Sequence, residues 1–68
     1  MAEYMIKVRR PTSQRFKFVT SKGGTTTLRI HAALFTDRED GTGEERARRW
    51  IEANALGNPG YQFKAVPR

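Results

Sequence analysis

The sequence predicts a small α+β fold, in which a three- to four-stranded, mainly antiparallel sheet carries one helix packed on one face. Three segments with strand-like alternation precede residue 36, one segment with helical spacing follows, and a last short segment alternates again. The predicted element order is therefore β-β-β-α-β. With 68 residues and no cysteine, we expect one domain over residues 1–68, with a thin core and no disulfide to support it.

The first predicted strand alternates apolar and mostly polar residues up to a turn at Pro11. Residues two apart in a strand share a face, so each set should lie on its own side of the sheet. The set expected to face the core is Tyr4, Ile6 and Val8. The set expected to face outward is Met5, Lys7 and Arg9.

The second predicted strand covers residues 14–21, with Phe16 and Phe18 expected to face the core. The set expected to face outward is Arg15, Lys17 and Val19. Lys22-Gly23-Gly24 then predicts a tight hairpin, because paired glycines can take the positive φ angles that such turns need. Residues 25–32 should return antiparallel, with Leu28 and Ile30 in the core.

A helix is predicted after an acidic, glycine-containing loop at residues 36–43. Thr42 and Glu45 have the spacing of a capping box, and Thr36 with Glu39 offers an earlier start. The earlier helix would include two glycines, at about 1 kcal/mol each relative to alanine, so the later start is preferred while both stay open. Leu56-Gly57-Asn58-Pro59 predicts the helix end, with the glycine as a left-handed cap. The helix residues expected to face the sheet are Ala47, Trp50, Ile51 and Asn54.

Residues 61–67 alternate again and predict a terminal strand, with Tyr61, Phe63 and Ala65 facing inward. A helix packed across one face is expected to return the chain so that this strand runs parallel to the third strand, or to the first at the opposite edge. The expected core consists of Phe16, Phe18, Leu28, Ile30, Trp50 and Phe63.

Basic residues recur two positions apart in the three predicted strands, which places them on one face of the sheet. The chain carries 13 lysines and arginines against 7 acids, a formal charge of +6. Phosphate neutralisation and counterion release supply most non-specific affinity for nucleic acids, so this face is a candidate nucleic-acid interface. The predicted contact residues are Lys7, Arg9, Arg10, Arg15, Lys17, Lys22, Arg29 and His31, with Lys64 as a further flanking candidate.

The kind of partner is predicted from the aromatic residues. Because the phenylalanines are expected to face inward, no ring is expected on the basic face, which argues against stacking of unpaired bases. Duplex DNA, contacted through its phosphates and major groove, is therefore favoured. The alternative is a small phage- or prophage-type interaction protein that docks on an acidic protein surface or pairs through an edge strand. A third reading is a solvated face whose positive charge prevents aggregation.

The sequence predicts no enzyme and no cofactor. His31 is the single histidine and no cysteine is present, so nothing suggests a catalytic triad. The acids at residues 37–45 lack the spacing of a calcium-binding loop and are explained by the dipole of the following helix. No metal and no small-molecule substrate are therefore expected. The longest apolar run, residues 32–35, is far too short to span a bilayer, so no membrane partner and a cytoplasmic location are expected.

Residues 14–54 resemble the AP2-like arm-type DNA-binding domains of phage tyrosine recombinases. The similarity lies in basic strands followed by one helix, in the junction Phe35-Thr36-Asp37-Arg38-Glu39, and in the helix segment Ala47-Arg48-Arg49-Trp50-Ile51. The resemblance implies that the sheet face carries the DNA contacts. It assigns that role to Arg15, Lys17, Arg29 and His31.

Overall fold

The computed structural model describes residues 3–68 and contains a four-stranded antiparallel sheet with a single helix on one side. The strands are β1 Tyr4–Arg9, β2 Lys17–Val19, β3 Thr25–Thr26 and β4 Gln62–Pro67, and the helix α1 spans Gly43–Ala55. The sheet order is β3-β2-β1-β4. The predicted α+β fold and its β-β-β-α-β order are confirmed. In this part of the chain, α1 and the short 3₁₀ turn at Arg29–His31 are both too short and too polar to cross a membrane.

The helix begins at the later of the two predicted starts. The Thr42 hydroxyl accepts a hydrogen bond from the Glu45 amide (3.2 Å), and the Glu45 carboxylate accepts one from the Thr42 amide (3.1 Å). Asp37 accepts a hydrogen bond from the Gly43 amide at 2.7 Å. These contacts satisfy three backbone donors at the helix start, which a helix otherwise leaves without an internal partner.

The helix ends as predicted but with a different cap. Gly57 does not take a positive φ, so it is not a left-handed cap. Instead, the Asn58 side chain donates to the Asn54 carbonyl (2.8 Å), and the Asn58 amide donates to the Ala55 carbonyl (3.2 Å). A polar side chain therefore satisfies a carbonyl that the helix end leaves open.

The core lies between α1 and one face of β1 and β4, and Val19 of β2 completes it. The buried residues at its centre are Ile6, Val8, Val19 and Ala47. The half-buried residues packed around them are Tyr4, Phe35, Trp50, Ile51, Phe63 and Ala65. The predicted inward sets of β1, α1 and β4 are thus largely confirmed, although Tyr61 is 36% exposed. The Tyr4 hydroxyl also donates to the Glu44 carboxylate (2.9 Å), and this hydrogen bond raises the pKa of Tyr4.

The predicted orientation of β2 is wrong. In the observed register Phe18 lies opposite Lys7 and Lys17 lies opposite Val8, and residues that face each other across two strands share a side of the sheet. Phe18 therefore lies on the side away from α1, whereas Lys17 lies on the helix side. Val19, predicted to face outward, is the β2 residue that enters the core, at 4% exposed.

Two further core predictions fail at β3, and one residue is more buried than predicted. Leu28 and Ile30 are 54% and 86% exposed, because β3 ends at Thr26 and the chain reverses in the following 3₁₀ turn. Met5, predicted to face outward, is only 2% exposed. It lies opposite Val66 on the side of the sheet away from α1, so this side also buries an apolar residue.

The predicted direction of β4 is also wrong, since β4 pairs antiparallel with β1. After the reversal beyond β3, the chain returns to the start of β1, where Phe35 and Tyr4 exchange two backbone hydrogen bonds (2.8 and 2.9 Å). The helix therefore starts at this end of the sheet, as the contact between Glu44 and Tyr4 also indicates. Because α1 runs in the direction of β1, β4 must return in the opposite direction.

Candidate nucleic-acid interface

The sheet has one face that α1 does not cover, which we call the open face. The outward positions of β1 and their partners across β2, β3 and β4 define it. Phe16, just before β2, also belongs to it, because its ring contacts cations from both β1 and β4. The open face consists of Met5, Lys7, Arg9, Phe16, Phe18, Thr26, Gln62, Lys64 and Val66.

The open face is cationic and its nine residues include no acid. Glu3, which precedes β1 on the same side of the sheet, is paired with Arg68 (2.9 Å). Lys7 lies directly opposite Lys64 on the neighbouring strand, an arrangement that is unfavourable in a sheet because the two side chains carry like charges. Within residues 3–68, the ion pairs use basic partners from elsewhere, namely Arg46 and Arg49 with Asp40, Arg48 with Glu44, and Arg68 with Glu3. None of these pairs neutralises Lys7, Arg9 or Lys64.

Two aromatic rings lie among these cations. The Lys7 ammonium is 5.8 Å from the centroid of the Phe18 ring. The Arg9 guanidinium and the Lys64 ammonium are each 5.8 Å from the centroid of the Phe16 ring. Both rings are half-buried. At these distances a cation is attracted to the electron-rich face of a ring, so the rings and the positive charges form one continuous surface.

Arg9 is held in place by its neighbours. Its Nε donates to the Gln62 side-chain oxygen (3.2 Å) and its Nη1 donates to the Ser13 carbonyl (3.4 Å). Both acceptors are neutral, so the guanidinium keeps its full charge. A fixed guanidinium loses little conformational entropy when it binds a phosphate or stacks on a base.

The structure brings together only part of the predicted contact set. Lys7 and Arg9 are on the open face, and the flanking candidate Lys64 joins them there. The others lie away from it: Lys17 on the helix side of β2, Arg10, Arg15 and Lys22 in the turns between strands, and Arg29 and His31 in the exposed 3₁₀ turn. The predicted contact residues therefore do not share one face, because β2 has the opposite orientation to the predicted one and β3 ends before Arg29 and His31.

Three of the predicted contact residues that lie off the open face are close to one another. Arg10, Arg15 and Lys17 line a cavity of about 230 Å³ at the turn between β1 and β2. Ser13 and Tyr61 contribute to its walls. This cavity opens on the helix side of the sheet, so its cations do not extend the open face.

Sequence reasoning missed Phe16 and Phe18 as members of the basic face. Val19 could have indicated where the two rings lie, because it is a β-branched apolar residue in the set that was predicted to face solvent. If Val19 enters the core, the alternation of a strand forces Phe18 to the other side. The ring is half-buried there with the Lys7 ammonium beside it, so an aromatic residue is tolerated on that side of the sheet.

A scan against protein-family models finds no match to this chain, and searches of curated proteins and of solved structures find none either. The resemblance to arm-type DNA-binding domains therefore stays a prediction. The residues that it assigns to DNA contact, Arg15, Lys17, Arg29 and His31, are off the open face.

Proposed function

We propose that this domain binds nucleic acid through its open face. The observation that carries the proposal is the unneutralised cationic surface, above all Lys7 held directly opposite Lys64. Two like charges at this position cost stability in the free protein. A polyanion that lies across the sheet removes this repulsion and releases its own counterions, so binding gains from both effects.

The distribution of acids supports the same face. Apart from Glu3, the acids all fall between residues 37 and 52, in the loop before α1 and in α1 itself. Several are held there by arginines of the helix, and Glu44 and Asp40 are examples. One side of the domain is therefore mixed in charge, whereas the other is predominantly positive and its one acid, Glu3, is paired with Arg68. This asymmetry steers a polyanion towards the open face.

The first test is fluorescence anisotropy with duplex DNA, single-stranded DNA and RNA over a range of salt concentrations. Contacts from Lys7, Arg9 and Lys64 would neutralise about three phosphates. The slope of log affinity against log salt should then be about −2.7 for a duplex and about −2.1 for a single strand. Absence of binding to all three probes at about 50 mM salt would contradict the proposal.

A pair of variants tests the location of the site. Lys64→Glu adds a negative charge to the open face, and Lys17→Glu makes the same change at an exposed strand residue on the helix side. We expect Lys64→Glu to weaken binding on the order of tenfold and Lys17→Glu to weaken it much less, since only the first removes a phosphate contact. Equal losses in the two variants would contradict the assignment to the open face.

The duplex probe tests the partner predicted from the sequence. Polyglutamate, added as a further probe, tests the alternative of an acidic protein partner. Polyglutamate carries a regular negative charge without phosphates or bases. Affinity for polyglutamate equal to that for every nucleic acid would favour the protein-binding alternative over the proposal.

A further inference from the structure

We infer that the open face binds unpaired bases, with Phe16 and Phe18 as the stacking platform for a single strand; this inference rests on the proposed function. Aromatic side chains in a cationic groove are the usual means by which proteins hold single strands without reading their sequence. The prediction from sequence argued against this mode because both rings were expected in the core. In the structure, each ring has a cation of the open face 5.8 Å from its centroid.

The spacing of the rings fits an extended strand. Phe16 and Phe18 are two residues apart in the chain, so their Cα atoms are separated by about 7 Å if the backbone is extended. This is about twice the 3.4 Å rise per nucleotide in a duplex strand. Successive bases can therefore reach the two rings only when the strand is unstacked and stretched, which a single strand allows and an intact duplex does not.

The cations are placed to hold the backbone of such a strand. Lys7 lies beside Phe18, and Arg9 and Lys64 both lie beside Phe16. A base that stacks on either ring thus brings its phosphate within reach of an ammonium or a guanidinium. A duplex can contact the cations through its phosphates but cannot stack on Phe16 or Phe18, because its bases are paired and stacked inside the double helix.

Three probes of equal length separate stacking from charge: oligo-dT, the same strand without bases, and a duplex. We expect oligo-dT to bind at least tenfold more tightly than the abasic strand, since each stacked base contributes a factor of about 5 to 160. The abasic strand and the duplex should bind through charge alone.

Substitution with leucine removes the ring and keeps most of its apolar bulk. In the Phe16→Leu, Phe18→Leu variant we expect oligo-dT affinity to fall at least tenfold, to the level of the abasic strand, while abasic affinity stays unchanged. Tyr61→Leu is the matched control, because Tyr61 is a partly exposed ring that stacks on Phe63 (centroids 6.4 Å apart) on the helix side. The double Phe→Tyr variant should restore oligo-dT binding, and circular dichroism checks that every variant is folded.

The outcomes distinguish this inference from the proposed function. Equal affinity for oligo-dT and the abasic strand, or a duplex that binds as tightly as oligo-dT, would overturn the stacking mode and leave charge-based binding intact. Leucine variants that lose abasic and oligo-dT affinity equally would also overturn it, because the rings would then act only through the fold. If none of the three probes binds at low salt, the proposed function fails and the stacking mode fails with it.

Discussion

Lys64→Glu should stabilise the fold while it weakens binding. Lys64 lies directly opposite Lys7, so the substitution converts a repulsive cross-strand pair into an attractive one. Cross-strand charge pairs contribute about 0.2–1 kcal/mol, and like charges are unfavourable to a similar degree. Conversion of repulsion into attraction contributes about 0.4–2 kcal/mol in total. The loss of the attraction between Lys64 and the Phe16 ring offsets part of it. We therefore expect a net gain of about 0.5–1 kcal/mol in the free energy of unfolding of this solvent-accessible pair. In a domain of this size, 1 kcal/mol corresponds to a shift of about 4–8 °C in Tm.

The assay is thermal and urea denaturation followed by circular dichroism, without nucleic acid, at low salt and at about 1 M salt. The Debye length falls to about 3 Å at 1 M, so the gain should shrink there. Lys22→Glu is the matched control, because Lys22 lies in the exposed turn between β2 and β3 and the stability of this variant should change little. If Lys64→Glu is no more stable than the wild type at low salt, or if its gain persists at 1 M, the reasoning about the Lys7–Lys64 pair is refuted.

Three further predictions concern the fold that supports the open face. Thr42→Ala removes the helix N-cap and should cost about 1 kcal/mol by urea denaturation, whereas an unchanged midpoint would show that the capping box contributes nothing. The amide and hydroxyl of Thr42 lower the pKa of Glu45 in the folded protein. The stability that this carboxylate provides should therefore be present above its unfolded pKa of about 4.3 and be lost as the pH falls through its folded pKa. The stability difference between the wild type and Glu45→Ala should then narrow on acidification, and a constant difference would contradict this. Met5→Ala should cost about 2–5 kcal/mol, and a cost typical of surface residues would contradict the burial of Met5.

The helix was predictable because its determinants are local. Thr42 and Glu45 are three residues apart, and their mutual hydrogen bonds define the start without help from the rest of the chain. The inward set of β1 was predictable for the same reason, since its alternation is regular. Local pattern also gave the overall order of strands and helix.

The orientation of β2 depended on pairing that the local pattern does not contain. Phe16 and Phe18 alternate with basic residues, which suits either a core strand or a strand whose half-buried rings lie beside long cationic side chains. The register with β1, in which Phe18 opposes Lys7, decides between them. The reversal near Ile30, which sets the direction of β4, likewise has no strong sequence signal. The candidate site was therefore predicted as a basic sheet face, but six of its eight predicted contact residues lie elsewhere and its two rings were not predicted.

The most direct test of the open face is an NMR titration of the ¹⁵N-labelled protein with oligo-dT. Amide shifts should concentrate at Lys7, Arg9, Phe16, Phe18 and Lys64, with little change along α1. Shifts centred instead on the helix, or on the cavity lined by Arg10, Arg15 and Lys17, would contradict binding through the open face.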